Sequence, residues 1–190
     1  MPLKKCSKFK STIIIITALL LFLEGALFYR LALKIIYPIK YEEFVEEASL
    51  KYGIERVFIY AVIKVESGFD KDAVSSKKAN GLMQITTPTA EYIAKLKGVK
   101  NYDLFDAKTN IDFGVFYMRY LFDRFGDIKT TFIAYNAGEG RVREWLNDKT
   151  YSVDGVILKS IPYEETKEYL VKIEKAIKNY KKLYPYLLDK

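Results

Sequence analysis

Residues 11–29 read STIIIITALLLFLEGALFY, an apolar run carrying a single charge, Glu24. At ~1.5 Å per helical residue such a run crosses a hydrocarbon core, and it constrains the chain more than any other feature. Glu24 sits towards the C-terminal end of the run, where lipid burial is shallower and a carboxyl costs less. Lys4, Lys5, Lys8 and Lys10 precede the run and favour a cytoplasmic N-terminus, while Arg30, Lys34 and Lys40 follow it and keep the bias modest. A cleaved signal peptide is the competing reading. Its apolar region is usually shorter, and no clean small-x-small cleavage site follows here. The expectation is an N-terminal anchor or uncleaved signal segment over 1–40. A single domain over 41–190 is then held outside the cytoplasm by a single-pass helix.

The formal charge of +7 invites a nucleic-acid reading, but its distribution argues against one. Residues 1–40 contain seven of the 31 basic residues and one of the 24 acidic ones, leaving 24 and 23 for residues 41–190. The basic excess flanks the apolar run, and no lysine- or arginine-rich stripe remains to neutralise phosphates. The chain has no histidine and one cysteine, Cys6, which lies outside the expected domain. An intramolecular disulfide, a histidine-based triad and a histidine-rich metal site are thereby excluded. Catalysis has to rest on carboxylates, hydroxyls, amides or lysines.

The remainder reads as mainly α. Apolar residues at Phe44, Val45, Ala48 and Tyr52 have helical spacing, and Gly53 interrupts them. A second helix, about 55–67, carries Val57, Phe58, Ala61, Val62 and Val65 on one face. Ile59, Tyr60 and Ile63 make it apolar almost all round, so it belongs at the centre. Residues 69–86 are polar and irregular. Pro88 suits the first turn of a helix to about Leu96. Further helices are expected over about 108–125, 128–137 and 140–147. Asp154-Gly155 suggests a small hairpin within 149–161. A last helix starts at Pro162 and carries the stripe Tyr163, Thr166, Tyr169, Leu170, Ile173, Ala176, Ile177, Tyr180 and Leu183.

Four segments carry chemistry. Glu66 closes a strongly apolar helix and precedes Ser67-Gly68. The negative end of the helix dipole and the neighbours Val62 and Ile63 both disfavour its charged form, so its pKa should rise. A carboxylic acid still protonated near neutrality can serve as a general acid towards a glycosidic oxygen. Gly81-Leu82-Met83-Gln84 follows, with a glycine that admits close backbone approach and an amide able to grip an acetamido or hydroxyl group. Ala134-Tyr135-Asn136-Ala137-Gly138 places two hydrogen-bonding side chains side by side at a helix end. Ile161-Pro162-Tyr163-Glu164-Glu165-Thr166 opens the last helix, on which Glu165 and Tyr169 share a face.

In this order and at these separations the four segments resemble the lytic transglycosylase domain of the soluble type, a lysozyme-like family, over about residues 43–182. The resemblance implies a lysozyme-like helical fold and one catalytic acid/base, matched by Glu66. It implies that Ser75 polarises the substrate acetamido group or orients that glutamate. Gln84, Tyr135 and Asn136 match cleft residues. Tyr169 matches a tyrosine whose hydroxyl lies near the acid, and Glu165 a carboxylate supporting the cleft hydrogen bonds. The substrate would be the glycan strand of peptidoglycan, cut between N-acetylmuramic acid and N-acetylglucosamine with closure of a 1,6-anhydro ring. No metal or cofactor is implied. The departure is Lys78, which stands where the family usually has glycine and bears on the shape of the loop around Ser75. Two alternatives stay open. One is a lysozyme-type hydrolase using a second carboxylate among Asp70, Asp72 and Glu139; the other is a non-catalytic glycan-binding envelope module.

Overall fold

The computed structural model describes residues 3–188; the side chains of residues 3–14, Cys6 and the four leading lysines among them, lie outside that description. The chain separates into two units, 1–38 and 39–190. The first holds one helix, α1 (Leu3–Ile36). Within it Ile15–Ile36, 22 residues, is long and apolar enough to cross a membrane. The helix outlasts the apolar run expected over 11–29. Arg30 and Lys34 are helix formers, so polarity ends the apolar run without ending the helix.

The second unit is helical around a small two-stranded element. Its helices are α2 (Glu42–Tyr52), α3 (Arg56–Glu66), α4 (Thr87–Lys97), α5 (Ala107–Phe125), α6 (Ile128–Ala137), α7 (Glu139–Asn147) and α8 (Glu164–Leu183). A 3-10 turn, Pro185–Leu188, follows α8. The boundaries follow local chemistry. Thr86, Asp106 and Asp127 cap α4, α5 and α6 by accepting from backbone amides of the first turn. The last helix starts at Glu164, two residues later than Pro162 suggests. Tyr163 instead packs edge-on against Trp145 of α7, with ring centroids 5.0 Å apart.

As its all-round apolarity requires, α3 is central, with Val57, Ile59, Tyr60, Ala61, Val62 and Ile63 buried. It packs most extensively on α8, and α8 in turn on α6. The stripe expected on α8 is buried at Thr166, Tyr169, Leu170, Ile173, Ala176, Tyr180 and Leu183. The segment 69–86 is more ordered than its composition suggests. Strands β1 (Ala79–Asn80) and β2 (Ile85–Thr86) pair antiparallel across the Gly81–Gln84 turn. The hairpin expected around Asp154-Gly155 is reduced to one isolated bridge, Ser152 to Leu158. There the Ser152 hydroxyl and the Asp154 carboxylate take up the turn's backbone groups in place of a ladder.

Candidate active site

Glu66 is the last residue of α3. It keeps part of its surface open to solvent. The protein around it is nevertheless dense enough to push its carboxyl from 4.5 up to about 7. Desolvation is the dominant cause, and the Tyr169 hydroxyl beside it acts in the opposite direction. No lysine or arginine among the described residues offsets the burial. The acid is thus crowded by protein and still partly exposed.

Two tyrosines lie beside Glu66. Burial first, and the Glu66 carboxylate next, hold the hydroxyl protons of Tyr135 and Tyr169 well above the usual tyrosine range. The Tyr135 hydroxyl donates to the Met83 carbonyl at 2.8 Å. The Tyr169 hydroxyl lies against Glu66 without completing an aligned hydrogen bond. It stabilises the ionised carboxyl, and its donor is still uncommitted.

The loop facing Glu66 is fixed from behind. The Ser67 hydroxyl donates to the Leu82 carbonyl at 2.8 Å, tying the end of α3 to the 81–84 turn. Asn110 of α5 is fully buried. Its side-chain oxygen accepts from the Met83 amide at 2.8 Å, and its nitrogen donates to the Asn80 and Leu104 carbonyls at 2.9 and 2.8 Å. A Cβ on Gly81 would lie 2.2 Å from that nitrogen and 2.4 Å from the Leu104 carbonyl oxygen, and Gly81 has φ +75°. Only glycine fits both constraints. Gly114 plays the matching part on α5, since a Cβ there would meet the Met83 sulfur at 2.4 Å.

The other expected residues are placed as follows. The Gln84 side-chain nitrogen donates to the Ala73 and Gly81 carbonyls at 3.1 and 2.9 Å, so half of its amide holds the loop. The Ser75 hydroxyl oxygen accepts from the Ala79 amide at 3.0 Å, and the Ser75 amide donates to the Ala79 carbonyl at 3.0 Å. Ser75 is thus tied to its own loop. Lys78 adopts φ +58°, the backbone a glycine would take, so the loop keeps its shape at a conformational cost. Asn136 accepts at 2.8 Å from the hydroxyl of Thr166, which is 2% exposed. Glu165 is exposed, and its carboxylate takes the Lys77 ammonium at 2.7 and 3.0 Å. The structure therefore brings Glu66, Tyr135 and Tyr169 together. Gln84 and Ser75 lie within the loop between α3 and α4, Asn136 lies against α8, and Glu165 is exposed in the first turn of α8.

Sequence reasoning missed Asn110, Gly114 and Thr166. Asn110 and Gly114 share a face of α5 with Ile111, and a polar or absent side chain on a buried stripe was the available signal. Thr166 stood in the α8 stripe and in the segment that opens the last helix, but its contact with Asn136 was not visible. The carboxylates proposed for a hydrolase are occupied elsewhere. Asp70 accepts the Asp72 amide, Asp72 pairs with Lys71, and Glu139 pairs with Arg124 and Arg143.

Comparison with known proteins agrees with this geometry. A family profile described as Transglycosylase SLT domain matches residues 43–155. The chain belongs to that family. The soluble lytic murein transglycosylase of Escherichia coli K12 is 33% identical over 140 residues, covering 70% of this chain and 22% of that protein. The membrane-bound lytic murein transglycosylase C of Mannheimia succiniciproducens is 34% identical over 169 residues, covering 75% of this chain and 47% of the relative. This chain therefore spans from about a fifth to a half of such relatives. The crystal structure of the 70 kDa soluble lytic transglycosylase from Escherichia coli superposes with a TM-score of 0.69 at 28% identity, over 79% of this chain and 25% of that one. The complex of the 70 kDa enzyme with bulgecin A gives 0.71 at 28% identity, over 83% and 26%. The mainly α, lysozyme-like fold expected from the sequence is the one observed.

Proposed function

We propose that this protein is a peptidoglycan lytic transglycosylase in which Glu66 is the acid/base. The observation that carries the reading is a carboxyl raised to about 7, partly open to solvent and without a cation partner among the described residues. Near neutrality much of it is protonated and able to give its proton to the leaving glycosidic oxygen. Charge developing at the anomeric carbon would be taken up by the substrate's own acetamido group, a route that needs no second carboxylate. Glu66, now ionised beside the Tyr169 hydroxyl, then takes the proton of the muramyl 6-hydroxyl. That oxygen closes the 1,6-anhydro ring. The attacking hydroxyl is part of the bound sugar, so ring closure gains from proximity. No water is consumed.

Gln84, Ser75 and Asn136 would hold the sugars, and Glu165 the rim. Thr166 acts through Asn136, leaving the amide nitrogen of that side chain turned towards ligand. The apolar helix of 1–38 would anchor the protein, with the enzyme domain on the extracytoplasmic side facing the wall. Support comes from the Ile15–Ile36 span and from relatives that include membrane-bound transglycosylases.

Glu66→Gln preserves shape and removes the proton. Purified variant incubated with cell-wall sacculi should release anhydro-muropeptides at least about a thousandfold more slowly than wild type, by mass spectrometry. Wild-type rates from the variant would end this reading. Products heavier by one water at each cut would replace it with hydrolysis.

A further inference from the structure

Between α7 and α8 one turn gathers aliphatic side chains in solvent. Val153, Val156 and Ile157 are 81%, 54% and 59% exposed. Among the described residues no other five-residue stretch of the domain exposes three large apolar side chains. The turn is held by its own side chains. The Ser152 hydroxyl accepts from the Gly155 amide at 3.0 Å and donates to the Ile157 carbonyl at 2.8 Å. The Asp154 carboxylate accepts from the Val156 and Ile157 amides, both at 2.9 Å. The Lys159 amide donates to the Tyr151 carbonyl at 2.9 Å and closes the base. Amides already bonded within the chain lose less on leaving water than those of an open loop.

Cations surround this tip. Lys149 and Lys159 are exposed on its two stems, and neither forms an ion pair among the described residues. Beside Gly155 a cavity of about 250 Å³ is bordered by Arg124 and Arg143. Both arginines are exposed and share one enclosed carboxylate, Glu139, at 3.2 and 3.1 Å. The acids of the turn are committed to the chain. The Thr150 amide holds Asp148, and the Ile157 and Val156 amides hold Asp154, below the usual carboxylate range. Four exposed cations thus ring an aliphatic tip. An anionic bilayer surface presents the complement, with acyl chains within and phosphates at the level of the rim.

We propose that the turn 152–158 is a membrane-docking tip: Val153, Val156 and Ile157 enter the acyl boundary of the leaflet, and Lys149, Lys159, Arg124 and Arg143 meet the phosphates of anionic lipid headgroups. This rests on the reading of 1–38 as an anchor. The span ends at Ile36 and α2 begins at Glu42, so five residues join them. Fully extended, such a link reaches ~18 Å. A domain on so short a link meets lipid at high effective concentration, and a contact too weak to recruit a free protein then suffices. A tip seated in lipid gives the domain a second hold and keeps Glu66 among the strands nearest the membrane.

Trp145 is the chain's one tryptophan and is 6% exposed, so wild type gives a low baseline for quenching from lipid. Full-length wild type and full-length Val153→Trp are reconstituted in vesicles of equal phosphatidylglycerol and phosphatidylcholine with brominated acyl chains. Val153→Trp should show a blue shift and lose about half of its added emission to the bromines, as a ring ~5–10 Å into the interface does. Adding Lys149→Glu and Lys159→Glu, or using phosphatidylcholine alone, should restore most of that emission. Ile157→Trp is a second reporter on the same tip, and melting temperatures check that each variant is folded. Val153→Trp and Ile157→Trp quenched no more than wild type, in protein that floats with the vesicles, overturn the docking and leave the anchor standing. Equal quenching in phosphatidylcholine alone overturns the anionic partner. Shielding that grows with protein concentration and ignores bromine assigns the tip to a second copy and overturns lipid. Wild type that fails to float overturns anchor and tip together. Turnover of sacculi by the same preparations judges the glycan-cleaving reading separately.

Discussion

Glu66 and Asp112 are both carboxylates withdrawn from water, and the protein treats them oppositely. Desolvation acts on each. At Asp112 it is outweighed by bonds from Lys51 at 2.8 Å, from Lys97, and from the Tyr52 hydroxyl at 2.7 Å, and the carboxyl is held below its ordinary value. The Lys97 ammonium is itself enclosed, lying 5.2–5.3 Å from the rings of Tyr52, Phe113 and Phe116. This closed network joins α2, α4 and α5. At Glu66 no cation arrives among the described residues, and the partner is a tyrosine hydroxyl that does not complete an aligned bond. Burial with compensation makes a structural tie, and burial without it makes an acid.

The contrast can be broken most forcefully at Glu66. Beyond the loss of turnover, Glu66→Gln should alter stability with pH. A carboxyl raised in the folded state keeps its proton there while the unfolded chain has lost it, so wild-type stability falls as pH rises from about 4.5 through about 7. A rise of that size corresponds to about 3 kcal/mol. Denaturant titrations at pH 5 and pH 8.5 should show this slope in wild type and a flatter one in the glutamine variant. An identical slope would mean Glu66 is not desolvated.

Asp112→Asn should act through folding instead. Lys51 and the enclosed Lys97 lose their counter-charge, costing about 3 kcal/mol and roughly 10 °C in melting temperature. The sign with pH is the reverse of Glu66. Asp112 contributes stability above the unfolded carboxyl range, and that contribution is lost as pH falls through its lowered folded value. The variant should therefore lose less than wild type on acidification, by thermal melts across pH 3–6.

A subtler change sharpens the account of the acid. Tyr169→Phe removes the one group favouring ionised Glu66, so the alkaline limb of the kcat/KM profile should move to higher pH. A limb that stays in place would remove Tyr169 from any electrostatic role. The smallest effect is expected at Lys78. Lys78→Gly relieves a left-handed backbone at φ +58° and should stabilise the fold by at most about 1 kcal/mol, since glycine's freedom in the unfolded chain offsets part of the gain.

Much of this was legible in the sequence, for reasons that are local. Helix periods, the glycine after Tyr52 and the apolarity of α3 depend on neighbours within a turn or two. The paired strands at 79–80 and 85–86 were not legible, because each is two residues long and carries no period to read. The start of α8 was misplaced because Pro162 was a plausible first turn, while Tyr163 had a distant partner in Trp145.

The site divides along the same line. Sequence alone determined which groups were available for catalysis: with no histidine, the chemistry was left to carboxylates, hydroxyls, amides or lysines, and Glu66 ended a strongly apolar helix. Tertiary structure decided what those groups became. The Tyr135 hydroxyl meets a carbonyl 52 residues away, and Thr166 meets Asn136 across 30. Glu165, expected to support the cleft hydrogen bonds, pairs with Lys77 across 88 residues and is exposed. Residue type sets what a side chain can donate, accept or ionise. Desolvation and partner choice depend on which distant segments close around it, and only the folded chain fixes those.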